Sequence, residues 1–270
     1  MTIVCGVDHS SGSRAAAQIA IGLSGRLGSR LALVHAVQLP LPSREMGVAQ
    51  PTIFEPVDRM REAGVILLED IVSELDAPPE TAREVRIGEA AEVIATAAEE
   101  FRGEFVVVGS RGLGSVGALL IGSVSRSLAT RGPCPALIVP ASASPVGDGP
   151  IVCALDESDG ARAALAKAAD VAERLGRRLL VVTVEADDAP SSAAAEGRVD
   201  GAAIGTSTQR MLLRGEPAAA IVEAAEGHAA DMIVIGSRGR GAVAASMLGS
   251  VSSSVAGQSA CPVMVVRAST

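Results

Sequence analysis

The sequence contains no tryptophan, no tyrosine and only three phenylalanines in 270 residues. Any core must therefore be assembled from Val, Ile, Leu and Ala, and an apolar fraction of 48% supplies them. Lysine is almost absent too, with Lys167 its single instance, so a mechanism that needs a phosphate-gripping lysine has one candidate. The net charge is −8 and the pI about 5.0. That deficit of cations opposes general attraction to nucleic acid or to an anionic membrane, because both depend on a field of Lys and Arg. No apolar run is long enough to span a bilayer, and MTIVCGVDHS lacks the basic and apolar segments of a secretory signal. A cytoplasmic protein is expected. The four cysteines form no C-x-x-C pair and no Cys/His cluster at zinc spacing, so they read as reduced, buried, inert thiols.

What is present is a repeat. TIVCGVDHS at 2–10 returns as PIVCALDES at 150–158, which pairs Asp8 with Asp156. GEAAEVIATAAEE from Gly88 returns as GEPAAAIVEAAEG from Gly215, and GSRGLGSVGALLIGSVSRSLA from Gly109 as GSRGRGAVAASMLGSVSSSVA from Gly236. The cysteines duplicate as well, Cys5 with Cys153 and Cys134 with Cys261, which fits repeated core positions better than a disulfide framework. The offset between copies is larger early than late, so copy two is shorter between its second and third strands. A chain of this length holds two ordinary domains. The join falls in the small, Pro/Gly-rich stretch ASASPVGDG at 141–149, giving domains of 1–143 and 149–270.

Within one copy the runs IVCGV, LALVHAV, FVVVG and PALIVP are short and β-branched, the pattern of strands buried on both faces of a parallel sheet. Ala-rich helical stretches separate them. The helix from Ser13 stops at Gly28 and its counterpart at Gly176, glycine just past a helix end being the usual stop signal. Strands alternating with helices predict an α/β fold: two tandem flavodoxin-like domains, each a five-stranded parallel sheet of order 3-2-1-4-5 with helices on both faces. In that order a crevice opens at the carboxyl ends of strands one and four, where Asp8 and the Gly109 loop both land. The fifth strands, PALIVP and PVMVVR, would be exposed edges unless they are paired.

The loop after strand four reads Gly109-Ser110-Arg111-Gly112, then nine residues, then Gly122-Ser123-Val124; copy two repeats the spacing with Gly236, Arg238, Gly239, Gly249, Ser250 and Val251. Glycines let backbone amides approach a phosphate, and a helix beginning near Ser123 adds free N–H groups and the positive end of its dipole. Ser123 either caps that helix or offers its hydroxyl to a phosphate oxygen. Asp8, ending strand one, either reads a sugar or base donor or caps the following helix. Arg111 and Arg238 either offset phosphate charge or stand solvated in the loop. His9 neighbours Asp8, but Glu157 takes its place in copy two, so a solvated loop residue is the plainer reading.

The pattern G-x2-G-x9-G-[S/T] after a fourth strand, with an Asp ending the first, resembles the ATP-binding subgroup of the universal stress protein family, and does so in both halves. The resemblance implies an adenine nucleotide alpha hydrolase-like fold. It implies that adenine and ribose are held by Asp8 and Ala36 in copy one and by Asp156 and Val184 in copy two, with Gly6 and Ala154 lining the same pockets. Phosphates would be held by Gly109, Gly112, Gly122, Ser123 and Val124, and by their copy-two counterparts, with Mg²⁺ or Mn²⁺. It further implies pairing of the two copies through their fifth strands as an internal dimer, with a homodimer of whole chains beyond that. The implied role is regulation or sensing in stress response or growth control, read by a downstream protein.

Copy two departs from copy one where Thr183 replaces His35 and where the short Glu185–Gln209 connection leaves its second helix in question. GLGSVG at 112–117 also matches G-x-G-x-x-G, yet it is not at the first strand-helix turn and no ribose-binding acid follows it. A P-loop is excluded, since no Gly-Lys-Ser/Thr occurs. Three functions remain: an ATP-binding sensor, a slow ATPase or self-phosphorylating enzyme, and a scaffold that has lost its nucleotide.

Overall fold

The computed structural model describes residues 1–39, 54–112, 121–185, 208–238 and 247–268. Copy one runs β1 (Thr2–Gly6), α1 (Ser11–Leu27), β2 (Arg30–Val37), α2 (Phe54–Glu74), β3 (Ala82–Ile87), α3 (Ala90–Glu100), β4 (Gly103–Gly109), α4 (Ser123–Arg131) and β5 (Ala136–Val139). Copy two runs β6 (Ile151–Ala154), α5 (Asp159–Leu175), β7 (Leu179–Glu185), β8 (Thr208–Arg214), α6 (Pro217–Gly227), β9 (Met232–Gly236), α7 (Ser250–Gln258) and β10 (Val263–Val266). The second helix questioned in copy two falls within 186–207, outside the described residues.

Strand order is β3-β2-β1-β4-β5 in the first copy and β8-β7-β6-β9-β10 in the second, parallel within each copy. The two halves form one ten-stranded sheet, because β5 and β10 pair antiparallel with Met264 opposite Leu137. Every residue of β1, β5, β6, β9 and β10 is buried, as strands covered on both faces require. Alternation sorts their side chains onto two cores that run unbroken across both copies. Ile3, Cys5, Phe105 and Val107 meet α1, α2 and α5 on one face, whereas Val4, Val106 and Val108 meet α3, α4, α6 and α7 on the other.

The helices stop where predicted, and α1 starts at Ser11, two residues before the expected Ser13. Ser10 caps α1 by accepting the Ser13 N–H, and Ser158 caps α5 by accepting that of Ala161. Gly28 and Gly176 end them in the left-handed region, at φ 62° and 64°. Helix α1 leaves β1 toward one face and α4 leaves β4 toward the other, which opens the crevice at their carboxyl ends. Strand directions reverse across the β5–β10 junction, so the crevices of the two copies lie at opposite ends of the sheet.

Candidate functional site

Each crevice is a real cavity. In copy one it measures about 770 Å³, and its lining includes all nine predicted residues of that copy: Gly6, Asp8, Ala36, Gly109, Arg111, Gly112, Gly122, Ser123 and Val124. In copy two it measures about 370 Å³ and includes Ala154, Asp156, Val184, Gly236, Arg238, Gly249, Ser250 and Val251. Both lie within the range of small-molecule sites, about 300–1,000 Å³. Gly239 lies outside the described residues.

The carboxylate end is set by three residues. Asp8 Oδ1 accepts the Ser10 N–H at 2.9 Å and the Ser10 hydroxyl at 2.5 Å, while the Asp8 N–H donates to Ser13 Oγ at 2.7 Å. Copy two repeats the first two bonds, with Ser158 donating to Asp156 Oδ1 at 2.9 and 2.5 Å, but Ala161 stands where copy one has Ser13. Asp8 therefore does not cap α1; Ser10 caps it and holds Asp8 as well. Neither Ser10 nor Ser158 was singled out from the sequence, although their repetition two residues after each Asp was a signal.

The cradle is built the same way twice. The N–H of Gly122 donates to Ser110 O at 2.8 Å, and that of Gly249 to Ser237 O at 2.8 Å. Ser125 Oγ donates to Gly109 O and Ser252 Oγ to Gly236 O, both at 2.6 Å. Helices α4 and α7 are capped by Gly122 and Gly249 with no side-chain hydrogen bond. Of the two roles open to Ser123, capping is thus excluded: it is the first helical residue, exposed at the cleft, and its hydroxyl serves no cap. The first-turn N–H groups of both helices, with the positive end of the dipole behind them, open on the cavity.

The glycines divide by purpose. A Cβ on Gly109 would stand 2.6 Å from the Gly12 carbonyl carbon, and one on Gly236 would stand 2.7 Å from that of Gly160. These two let the loop lie against the start of α1 or α5, a packing demand that the sequence reading had assigned to ligand approach. Gly12 and Gly160, the other sides of those contacts, went unnoticed. A Cβ on Gly112 would instead meet Asp8 Oδ2 at 2.8 Å, so this glycine keeps the space beside the carboxylate.

Two imidazoles distinguish copy one. His35 Nδ1 lies 2.9 Å from Val7 O, and its ring stands edge-on to His9 at 6.1 Å between centroids, both lining the cleft. Thr183, which replaces His35 in copy two, is buried. No group of three or more His, Cys, Asp or Glu side chains able to hold a metal occurs among the described residues, nor does a described helix long and apolar enough to cross a membrane. Burial pushes the thiols up, Cys134 to about 11 and Cys153 to about 12, with Cys5 higher still and Cys261 also raised. They are protonated at neutral pH and are poor nucleophiles.

Comparison with known proteins places this architecture. The model of the universal stress protein family matches residues 1–140 and 185–267. The chain belongs to that family. A universal stress protein of Mycolicibacterium smegmatis is 29% identical over 98% of this chain and 96% of its own length. One from Thermus aquaticus is 40% identical over 138 residues, which cover 51% of this chain and 97% of that protein. The crystal structure of a universal stress protein from Archaeoglobus fulgidus superimposes with a TM-score of 0.78 at 25% identity, covering 99% of this chain and 98% of the other. Relatives of full and of half length thus both match this chain.

Proposed function

We propose that each universal stress protein domain, 1–143 and 149–270, binds one ATP with Mg²⁺ or Mn²⁺, and that occupancy is the signal that a downstream protein reads in stress response or growth control. The observation that carries this reading is the repeated pairing of an anion site with a fixed carboxylate in one cavity. Two helix N-termini capped only by glycine offer backbone N–H groups to phosphate. Across each cavity an Asp, held through one oxygen, is suited to a neutral N–H or O–H donor of a nucleoside. The metal would neutralise phosphate charge, held by the phosphates with the Ser123 and Ser250 hydroxyls in reach. Arg111 and Arg238 line the same cavities and add positive charge.

The test is to denature freshly purified protein, quantify released adenine nucleotide, and titrate stripped protein with ATP by calorimetry. Gly122→Asp and Gly249→Asp serve as the single-site variants. Aspartate is a favoured helix cap, so the helix persists while the added charge repels phosphate; its Cβ stands 3.3 Å from Ser110 O or Ser237 O, a contact relieved by a small shift. Two nucleotides per wild-type chain, falling by one in each variant, is the expected result. No nucleotide under either metal would leave the glycine loops a purely structural role.

A further inference from the structure

In both domains one serine grips the same carboxylate oxygen twice. Ser10 gives Asp8 Oδ1 its N–H at 2.9 Å and its hydroxyl at 2.5 Å, and Ser158 gives Asp156 Oδ1 the same two bonds at the same two distances. The hydroxyl is itself oriented, because its oxygen accepts a first-turn N–H of the following helix at 3.1 Å in each copy. A serine hydroxyl has one proton to donate; at 2.5 Å in each copy the carboxylate takes it, ahead of Arg238 O, which stands 3.2 Å from Ser158 Oγ in copy two. Oδ1 is therefore filled and the carboxylate plane is fixed. Asp8 Oδ2 is left on the side of Gly112, where an added Cβ would stand 2.8 Å away, in the cleft that both residues line. Helix N-terminus, serine and carboxylate form one chain, and among the described residues no donor sits on Oδ2 of either aspartate.

We infer that Ser10 and Ser158 are positioning residues, which leave each aspartate one carboxylate oxygen of set direction and so make each cleft select its nucleoside by one N–H or O–H donor. The inference rests on the nucleotide reading above. It gives the two serines a role beyond that of helix caps, which any Ser, Thr, Asn, Asp or Gly fills.

The experiment measures affinity of the full chain, in Mg²⁺, for ATP and for three analogues that each lack one donor: inosine triphosphate without the exocyclic amine, and 2′-deoxy-ATP and 3′-deoxy-ATP without one hydroxyl. The variants are the double substitutions Ser10→Ala/Ser158→Ala, Ser10→Gly/Ser158→Gly and Ser10→Thr/Ser158→Thr, each checked for its thermal midpoint. Glycine remains a permitted cap, so it removes the hydroxyl with little loss of helix; threonine keeps the hydroxyl. Wild type is expected to bind ATP about tenfold or more tightly than one analogue, about what a single well-placed hydrogen bond provides. In the Ala and Gly variants that preference collapses, ATP losing about tenfold and the analogue less than about twofold, and Thr restores it. An equal loss for all four ligands, or unchanged selectivity without the hydroxyls, overturns the inference. ATP binding with no discrimination in wild type overturns it while the nucleotide reading stands; no binding of any nucleotide overturns both.

Discussion

Cys5 and Cys153 sit at the same position of β1 and β6, wholly buried in the core under α1 and α5, and Cys134 and Cys261 lead into β5 and β10. Burial disfavours the thiolate and raises all four groups, with Cys134 at about 11 and Cys153 at about 12. The unfolded value for cysteine is about 8.5. A folded value above the unfolded one contributes stability that is fully present below the unfolded value and is lost as pH rises through the folded one. Unfolding free energy is therefore expected to decline between about pH 8.5 and the folded values near 11 to 12, and to decline less in a Cys5→Ala/Cys153→Ala chain. Urea titrations across that range check this, and an equal slope in both chains would remove the thiols as its source.

Helix α1 contains its own controlled comparison. Gly22 lies within the helix and Gly28 ends it at φ 62°, and a Cβ on either would meet nothing within 4 Å. Packing is thus equal and only backbone conformation differs. Gly22→Ala should stabilise the protein by about 0.5–1 kcal/mol, as alanine replaces glycine in a helix interior. Gly28→Ala should destabilise it by about 1 kcal/mol, the cost of a left-handed alanine. Chemical denaturation with an unchanged slope would measure both, and the same sign for the two would contradict the argument. The cradle loop differs again, because Gly109 is demanded by the Gly12 backbone across the crevice rather than by its own φ.

Across the molecule, the two domains are joined by more than the three residue pairs of the β5–β10 ladder. Glu104, at the start of β4, has a side chain only 6% exposed and accepts from Lys167 Nζ at 2.7 Å and from Arg174, both on α5 of the other domain. Ser29 lies within 3.5 Å of the same carboxylate. The one lysine of the chain thus serves the domain interface, where it also lies over the Phe105 ring at 5.8 Å. A second set of bonds holds the linker, since Arg26 and Arg177, one from each domain, both donate to Gly147 O, at 2.6 and 2.7 Å. Burial pushes Glu104 up, but hydrogen bonds and charge from Arg174 and Lys167 outweigh it and hold the carboxyl below its usual range. A lowered folded value contributes stability that is present above the unfolded value, about 4.3, and lost as pH falls through the folded one. Asp231, raised by burial in spite of Gly147 and Arg177, acts in the opposite sense, so the comparison must leave it intact. Glu104→Ala should cost about 2 kcal/mol near neutral pH by removing the buried acceptor that Lys167 and Arg174 share and leaving them the half-exposed Asp170 at 3.1 and 3.5 Å. Glu104→Gln should flatten the acid loss below about pH 4.3. Thermal unfolding from pH 3 to 7 checks both, and an acid limb as steep in Glu104→Gln as in wild type would mean that other carboxylates dominate.

The repeat, the strand and helix types, the Gly28 and Gly176 stops and the meeting of Asp8 with the Gly109 loop were all legible in the residues. Each depends on neighbours within a turn or on the alternation of one strand, and duplication showed every signal twice. What the residues alone left open was decided by approach between distant segments. Gly109 packs on Gly12, the carboxylate of Asp8 is locked by a cap residue rather than acting as the cap, Gly122 rather than Ser123 caps α4, and Glu104 finds its cations 63 and 70 positions away. Composition and periodicity carry the propensity of a segment. Which backbone lies against which, and which polar atom is then left facing a cavity, is set only when the two cores close on the sheet and the chain has no other way to satisfy its buried hydrogen bonds.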